Sequence, residues 1–223
     1  MLGGNDTSEQ GVENRLQYGA ETLGLNLSAL QCKQLVDYIK LLQKWNTAYN
    51  LSAIKDESGI LVKHVFDCLA IVKPVQNLLS AQPVAQRSIL DVGTGAGLPG
   101  LILAICLPDV QVTLLDAIQK KITFIQHCIG QLKLTNTNAS ATRIQDWRGQ
   151  YSVITARAWT SLGDIPSLCT HVVMPQGCIA AMKGPRASLE AQNLPTGWAI
   201  EHALELTVPD LNEPRSLVIL RAV

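Results

Sequence analysis

Residues 88 to 107 read SILDVGTGAGLPGLILAICL: an apolar run, a loop with glycine at 93, 95, 97 and 100, and a second apolar run. Glycines spaced this closely let the backbone turn sharply and let a ligand approach main-chain atoms, while the helix that follows aims its N-terminus at that ligand. The combination calls for strand, turn and helix in succession, the opening of a right-handed βαβ unit in a parallel sheet. The chain then keeps the same rhythm. Strands are expected at Ser88 to Val92, Val110 to Leu115, Asn138 to Thr142, Tyr151 to Thr155 and Gly177 to Met182, with helices at Leu98 to Leu107, Ile118 to Leu132 and Ser161 to Val173. The end breaks the alternation: Ala199 to Val208 and Ser216 to Val223 are apolar runs joined by PDLNEPR, which predicts an antiparallel hairpin.

No such alternation precedes residue 80. From Ser28, a good N-cap, Leu30, Leu35, Ile39, Leu42 and Trp45 recur at helical spacing to about Tyr49. A weaker helix is expected around Arg15 to Leu23, and a third from Ser58 through Ile60, Leu61, Val65 and Leu69, weakening near Pro74. The expected architecture is α/β: a helical N-terminal extension over residues 1 to 80, disordered over 1 to 12, and a Rossmann-like domain over 81 to 223 whose parallel sheet is closed by a C-terminal antiparallel hairpin.

Two ligand patterns overlap in the loop. Gly95, Gly97 and Gly100 spell the dinucleotide fingerprint G-x-G-x-x-G, and Asp91, Gly93, Gly95 and Gly97 spell D-x-G-x-G-x-G. Asp91 puts negative charge where a pyrophosphate would lie, which repels NAD but suits the ammonium and sulfonium of S-adenosylmethionine, directly or through the loop amides. Pro99 removes an N–H that an anion site would use. With the terminal hairpin, which resembles the sheet of class I methyltransferases, these features favour S-adenosylmethionine. Asp116, closing the second strand, stands about 20 residues past the glycines, where an acid reaches ribose hydroxyls. Residues 143 to 146, Arg-Ile-Gln-Asp, end the third strand and should meet the adenine, whose amine either Gln145 or Asp146 can accept.

Composition narrows the setting. The six cysteines lie far apart without a C-x-x-C pair, so neither a zinc site nor a disulfide framework is expected, and no metal ligand set is visible. MLGGNDTSEQ lacks the layout of a signal peptide, and the apolar run from Leu98 to Val110, broken by Pro99, Pro108 and Asp109, is too short to span a bilayer. A cytoplasmic setting without membrane contact follows. Formal net charge is zero, yet Lys120, Lys121, Lys133, Arg143, Arg148 and Arg157 gather in one stretch while acids dominate after Arg186. A neutral total can therefore hide a basic face.

Six segments taken together resemble one family: KWNTAYNLS (44 to 52), LVKHVFDCL (61 to 69), DVGTGAGLPG (91 to 100), TLLD (113 to 116), TARA (155 to 158) and AMKG (181 to 184). The chain resembles the bacterial ribosomal RNA small-subunit methyltransferase G family, once called glucose-inhibited division protein B. The resemblance implies a class I S-adenosylmethionine-dependent methyltransferase that modifies N7 of one guanine in a hairpin loop of 16S ribosomal RNA near the decoding centre. It implies cofactor contacts at Gly93, Leu98, the Asp116 to Ala117 turn, Ile144, Gln145 and Arg157, to which the loop pattern adds Asp91, Gly95 and Gly97. Gln145 stands where many members carry Glu, Lys63 where Arg is usual and Cys68 where Ser is usual. The partner implied is 16S RNA or the small ribosomal subunit. Nothing in the sequence calls for an obligate protein partner, and a monomer is the default.

Guanine N7 carries a lone pair and no proton at neutral pH, so this chemistry needs no general base; orientation and electrostatics supply the rate. The chain accordingly lacks N-P-P-Y, D-P-P-Y and a proline-rich cysteine motif. Arg157, ending the fourth strand, can orient the cofactor carboxylate or grip an RNA phosphate. Lys63, Lys183 and Arg186 are candidates for RNA backbone contact. His64 is either a substrate-orienting group over the active-site mouth or a helix-surface histidine paired with Asp67. Trp45 and Tyr49 read as core rather than as base-stacking platforms. The rival functions are methyl transfer to another RNA or a small molecule, an NAD(P)-dependent oxidoreductase, and a non-catalytic RNA-binding factor.

Overall fold

The computed structural model describes residues 9–185 and 193–223. Its framework is a seven-stranded sheet of β1 (Ser88–Val92), β2 (Gln111–Leu115), β3 (Thr137–Ser140), β4 (Tyr151–Arg157), β5 (Val173–Lys183), β6 (Trp198–Leu206) and β7 (Arg215–Ala222), ordered β3-β2-β1-β4-β5-β7-β6. β3, β2, β1, β4 and β5 are parallel, and β7 runs antiparallel to both β5 and β6, so the expected terminal hairpin closes the sheet. The chain winds outward in one direction from β1 and in the other from β4. Ligands of such sheets bind beyond the carboxyl ends of the strands at that reversal.

Alternation along the strands feeds two cores. Ile89, Val112, Leu217 and Ile219 pack into one cluster, and Leu90, Val92, Val218 and Leu220 into the other. The second cluster is covered by α8 (Asp164–Cys169) through Ile165 and Cys169. The first is covered by α6 (Gly100–Cys106), α7 (Gln119–Leu132) and the N-terminal helices, and Leu35, Ile39 and Ile60 belong to the same cluster as Ile102 and Ile125.

The longest helix, α2 (Ala29–Tyr49), starts at a capping box between Ser28 and Gln31 and ends at the left-handed Asn50. Its polar face docks it. Gln31 Nε2 donates to the carbonyl of Ile105 (3.0 Å) and Gln34 Nε2 to that of Leu132 (2.8 Å), supplying the C-terminal ends of α6 and α7 with donors. Tyr38, fully buried, donates to the carbonyl of Ala96 (2.9 Å) and so ties α2 to the glycine loop.

Some elements differ from expectation. α1 spans Glu9–Thr22, with Val12 and Leu16 buried, so residues 9 to 12 are helical where disorder was expected; residues 1 to 8 lie outside the described residues. The third helix is interrupted: α3 (Glu57–Ile60) passes through a π turn (Leu61–Phe66) into α4 (Asp67–Leu69), and α5 (Val72–Ser80) restarts with Pro74 in its first turn, where a missing N–H costs little. β3 stops at Ser140 rather than Thr142, before the short 3₁₀ turn of Ile144–Asp146. No helix among the described residues is long and apolar enough to cross a membrane, and no group of three or more His, Cys, Asp and Glu among them is placed to hold a metal ion.

Candidate active site

The glycine loop holds its shape around one buried carboxylate. Gly93, Gly95 and Gly97 have φ of 65°, 62° and 86°, left-handed values that exclude most side chains. Asp91 shares the sheet face of Ile89, beneath the start of α6. Its Oδ2 accepts from Thr94 Oγ1 (2.5 Å) and from the N–H of Gly100 (2.9 Å), and its Oδ1 accepts from Thr155 Oγ1 (2.9 Å). Burial pushes its carboxyl up to about 6 against the pull of those donors. The Asp91 side chain is fully buried and braces the loop from behind, an arrangement that matches the expected route through the loop amides rather than the direct one. Gly97 and Leu98 are buried too, with Gly97 closed off by Leu101, and of the loop glycines it is Gly93 that lines the cleft.

That cleft, about 510 Å³, lies across the carboxyl ends of β1 and β2. Asp116 accepts from the N–H of Ile118 at Oδ1 (3.0 Å), and at Oδ2 from the N–H of Gly95 (3.0 Å) and Lys121 Nζ (3.1 Å). A carboxylate offers about four acceptor positions, so three are taken and one remains. Ala117, Ile144 and Gln145 line the same cleft, whereas Asp146 does not. The result is a carboxylate, an apolar shelf and an amide in one groove, a set suited to a ribose and a purine.

A second cavity of about 670 Å³ opens beside it, lined by Lys63, His64, Asp67, Arg157, Lys183 and Arg215 among others. Asp67 is its hub: Oδ2 pairs with Arg157 Nη1 (3.2 Å) and Oδ1 with Arg215 Nε (3.3 Å). Burial raises the Asp67 carboxyl, opposed by the two guanidiniums. Arg157 lines this cavity rather than the first, next to Ala158 of the wall that the two share; its Nη1 also donates to the carbonyl of Lys63 (3.3 Å).

His64 is not a surface histidine paired with Asp67. The π turn directs it inward, where Nε2 is hydrogen-bonded to Ser52 Oγ (2.7 Å) and Nδ1 faces Arg157 Nη1 (3.4 Å). Burial, reinforced by Arg157, lowers its pKa to about 4. At neutral pH it is an uncharged hydrogen-bonding group. Lys63 reaches Glu213 (3.8 Å) at the rim, and Lys183 Nζ donates to the carbonyl of Thr160 (2.8 Å). Arg186 lies outside the described residues.

Three contributors escaped the sequence reading. Ser52 holds His64, Arg215 shares Asp67 with Arg157, and Trp159 lines both cavities. Trp45, by contrast, packs on Tyr49 (5.1 Å between centroids), Phe124 (5.5 Å) and His127 (5.2 Å), away from both cavities.

Comparison with known proteins adds four findings. Residues 31–218 match the family described as rRNA small subunit methyltransferase G. The chain is 43% identical over 219 residues to a ribosomal RNA small subunit methyltransferase G of Ralstonia nicotianae, covering 96% of this chain and 97% of that protein. It is 39% identical to a protein of the same name from an Acidovorax species, covering 97% and 98%. Among solved structures it is similar to a SAM-dependent methyltransferase from Aquifex aeolicus, with a TM-score of 0.54 at 14% identity over 77% of this chain and 96% of that one. That likeness shows the fold, the class I methyltransferase sheet with added N-terminal helices.

Proposed function

The chain belongs to the rRNA small subunit methyltransferase G family, and from that premise we propose that it transfers the methyl group of S-adenosylmethionine to N7 of one guanine in 16S ribosomal RNA, in a hairpin loop near the decoding centre. The observation that carries the proposal is the pairing of cavities: a groove suited to a nucleoside, and a cationic chamber that shares the wall Ala158 to Thr160 with it.

The residues present fit the cofactor. Gly93 bares the main chain at the cleft, the open acceptor position of Asp116 takes a ribose hydroxyl, Ile144 flanks the adenine and the Gln145 amide oxygen accepts its amine. When bound, S-adenosylmethionine supplies a methyl carbon made electrophilic by its sulfonium. The rest is positioning by the chain. Arg157 is fixed by Asp67 in the chamber, next to the shared wall that begins at Ala158, where it aligns an anionic group of either ligand. His64, neutral, is held at Nε2 by Ser52 and at Nδ1 beside the Lys63 carbonyl and Arg157, so it orients the substrate through the chamber wall it shapes and takes no proton. Lys63, Lys183 and Arg215 give the chamber the positive charge that an RNA backbone seeks, and Arg186, two residues past Gly184 in the sequence, is a further candidate for RNA contact. The protein works in the cytoplasm as a monomer, with the small ribosomal subunit as its partner.

The test is a pair of titrations followed by methyl transfer. S-adenosylmethionine is expected to bind, and NAD is not. Label is then expected to pass to ribosomal RNA from cells lacking the modification and not to a panel of metabolites. NAD binding, or transfer confined to small molecules, would overturn the proposal.

A further inference from the structure

Trp159 lines the nucleoside groove and the cationic chamber at once. Its place is set by the backbone. Ala158, a residue with a side chain, has φ of 50°, so the chain reverses immediately after β4. The turn is pinned on both sides: Arg157 is bound to Asp67, the carbonyl of Thr160 accepts from Lys183 Nζ, and the hydroxyls of Thr160 and Ser161 donate to Asp164 (3.2 and 2.6 Å). The indole lies over Gly93, where an added Cβ would come within 2.2 Å of Trp159 Cδ1 and 2.4 Å of Cγ. Trp159 is only partly buried, packed against the edge of the second core rather than within it. A large flat aromatic surface thus stands, half open, on the shared wall across which the methyl group must pass.

We propose that Trp159 is the contact residue for the acceptor base: its indole stacks the target purine at the junction of the two cavities and stabilises the cation that transfer leaves behind. The proposal rests on the guanine-N7 function above. In that step the N7 lone pair forms the new N–C bond, the C–S bond breaks, its electron pair stays on sulfur, and the positive charge passes from the sulfonium to the purine. No proton moves. Indole attracts a cation over its face more strongly than other side-chain rings. Trp159 therefore acts on the transition state as well as on binding, and Phe at this position retains part of the effect.

The experiment compares Trp159→Phe and Trp159→Leu with the unaltered chain in thermal stability, S-adenosylmethionine affinity, small-subunit binding without cofactor, and kcat and KM for the subunit. Base stacking is worth about tenfold or more in affinity. Trp159→Leu is expected to weaken subunit binding about tenfold or more and to lower kcat, Trp159→Phe to fall between, and S-adenosylmethionine affinity to fall by much less than subunit binding. A second measurement survives poor folding of the Leu variant: 7-methylguanosine monophosphate should quench tryptophan fluorescence of the unaltered chain and not that of Trp159→Phe. Equal quenching in both, unaltered subunit binding in folded Trp159→Leu, or loss of cofactor affinity in step with RNA affinity would overturn the proposal. If the unaltered chain still methylates guanine N7 in those cases, only the role of Trp159 falls; if it methylates no guanine, the function itself falls.

Discussion

Replacing Asp91 separates a residue that braces the loop from one that touches the ligand. Asp91→Ala strands three buried donors: the N–H of Gly100 and the hydroxyls of Thr94 and Thr155. An unpaired buried donor costs about 1–3 kcal/mol, with rotatable hydroxyls at the low end, giving about 4 kcal/mol in all. Relief of a buried charge offsets part of this at pH 7, so a net loss of about 3 kcal/mol is expected, a large share of the roughly 5–15 kcal/mol that holds a typical domain. Asp91→Asn keeps one oxygen for Gly100 and Thr94 and turns its amide to Thr155, whose hydroxyl can accept, so it should cost about 1 kcal/mol or less at pH 7. The two variants also differ with pH from the natural chain. The folded state raises the Asp91 carboxyl from 3.8 to about 6. Its proton is therefore held more tightly in the fold, and the resulting stability is fully present below about pH 4 and lost as pH rises through about 6. Natural protein minus Asp91→Asn should lose about 2 kcal/mol between pH 4.5 and 7. Urea unfolding at pH 4.5 and 7, with calorimetric S-adenosylmethionine titration, checks all of this. Weaker cofactor binding in Asp91→Ala should accompany its lower stability. Abolished binding at unchanged stability, or equal loss in Asn and Ala, would mean that Asp91 touches the ligand.

Three other outcomes follow from the site. His64→Ala should lower methylation without lowering S-adenosylmethionine affinity, and because His64 titrates at about 4, kcat/KM should be flat between about pH 6 and 8; parallel losses of activity and cofactor affinity, or a bell centred in that range, would refute its assignment. Its depressed pKa favours the neutral form in the fold, so that contribution is present above pH 6.5 and lost as pH falls toward 4, a slope that His64→Gln should remove. Asp67→Ala leaves Arg157 and Arg215, whose side chains are 19% and 18% exposed, without their shared partner. Breaking a buried pair costs about 3–5 kcal/mol, and a loss under about 1 kcal/mol in urea unfolding would contradict the hub. Gly93→Ala forces a left-handed alanine, about 1–2 kcal/mol, and drives its Cβ into Trp159; S-adenosylmethionine affinity should fall about tenfold, and an unchanged value would place the cleft elsewhere.

What the sequence disclosed was local. Glycines at 93, 95, 97 and 100, the acid closing β2 and the two terminal apolar runs are neighbours in the chain, and their patterns suffice to place β1, β2, β6 and β7 to within a residue or two. The charge of Asp91 was legible but its direction was not, because alternation gives Asp91 and Ile89 one face without saying which face meets the cleft. Only pairing β1 with β4, which sets Asp91 beside Thr155, decides it. His64 and Asp67 look like helical partners at i, i+3; the π turn breaks that alignment and hands each to a distant residue, Ser52 and Arg215. Trp159 follows a left-handed alanine that no propensity foretells.

The most direct measurement is methyl transfer from labelled S-adenosylmethionine to small ribosomal subunits from cells lacking the matching modification, with the RNA digested and its nucleosides separated. Label in N7-methylguanosine, mapped to a single guanine of 16S RNA, is the predicted result. Label at another atom or base, or none while S-adenosylmethionine still binds, would contradict it.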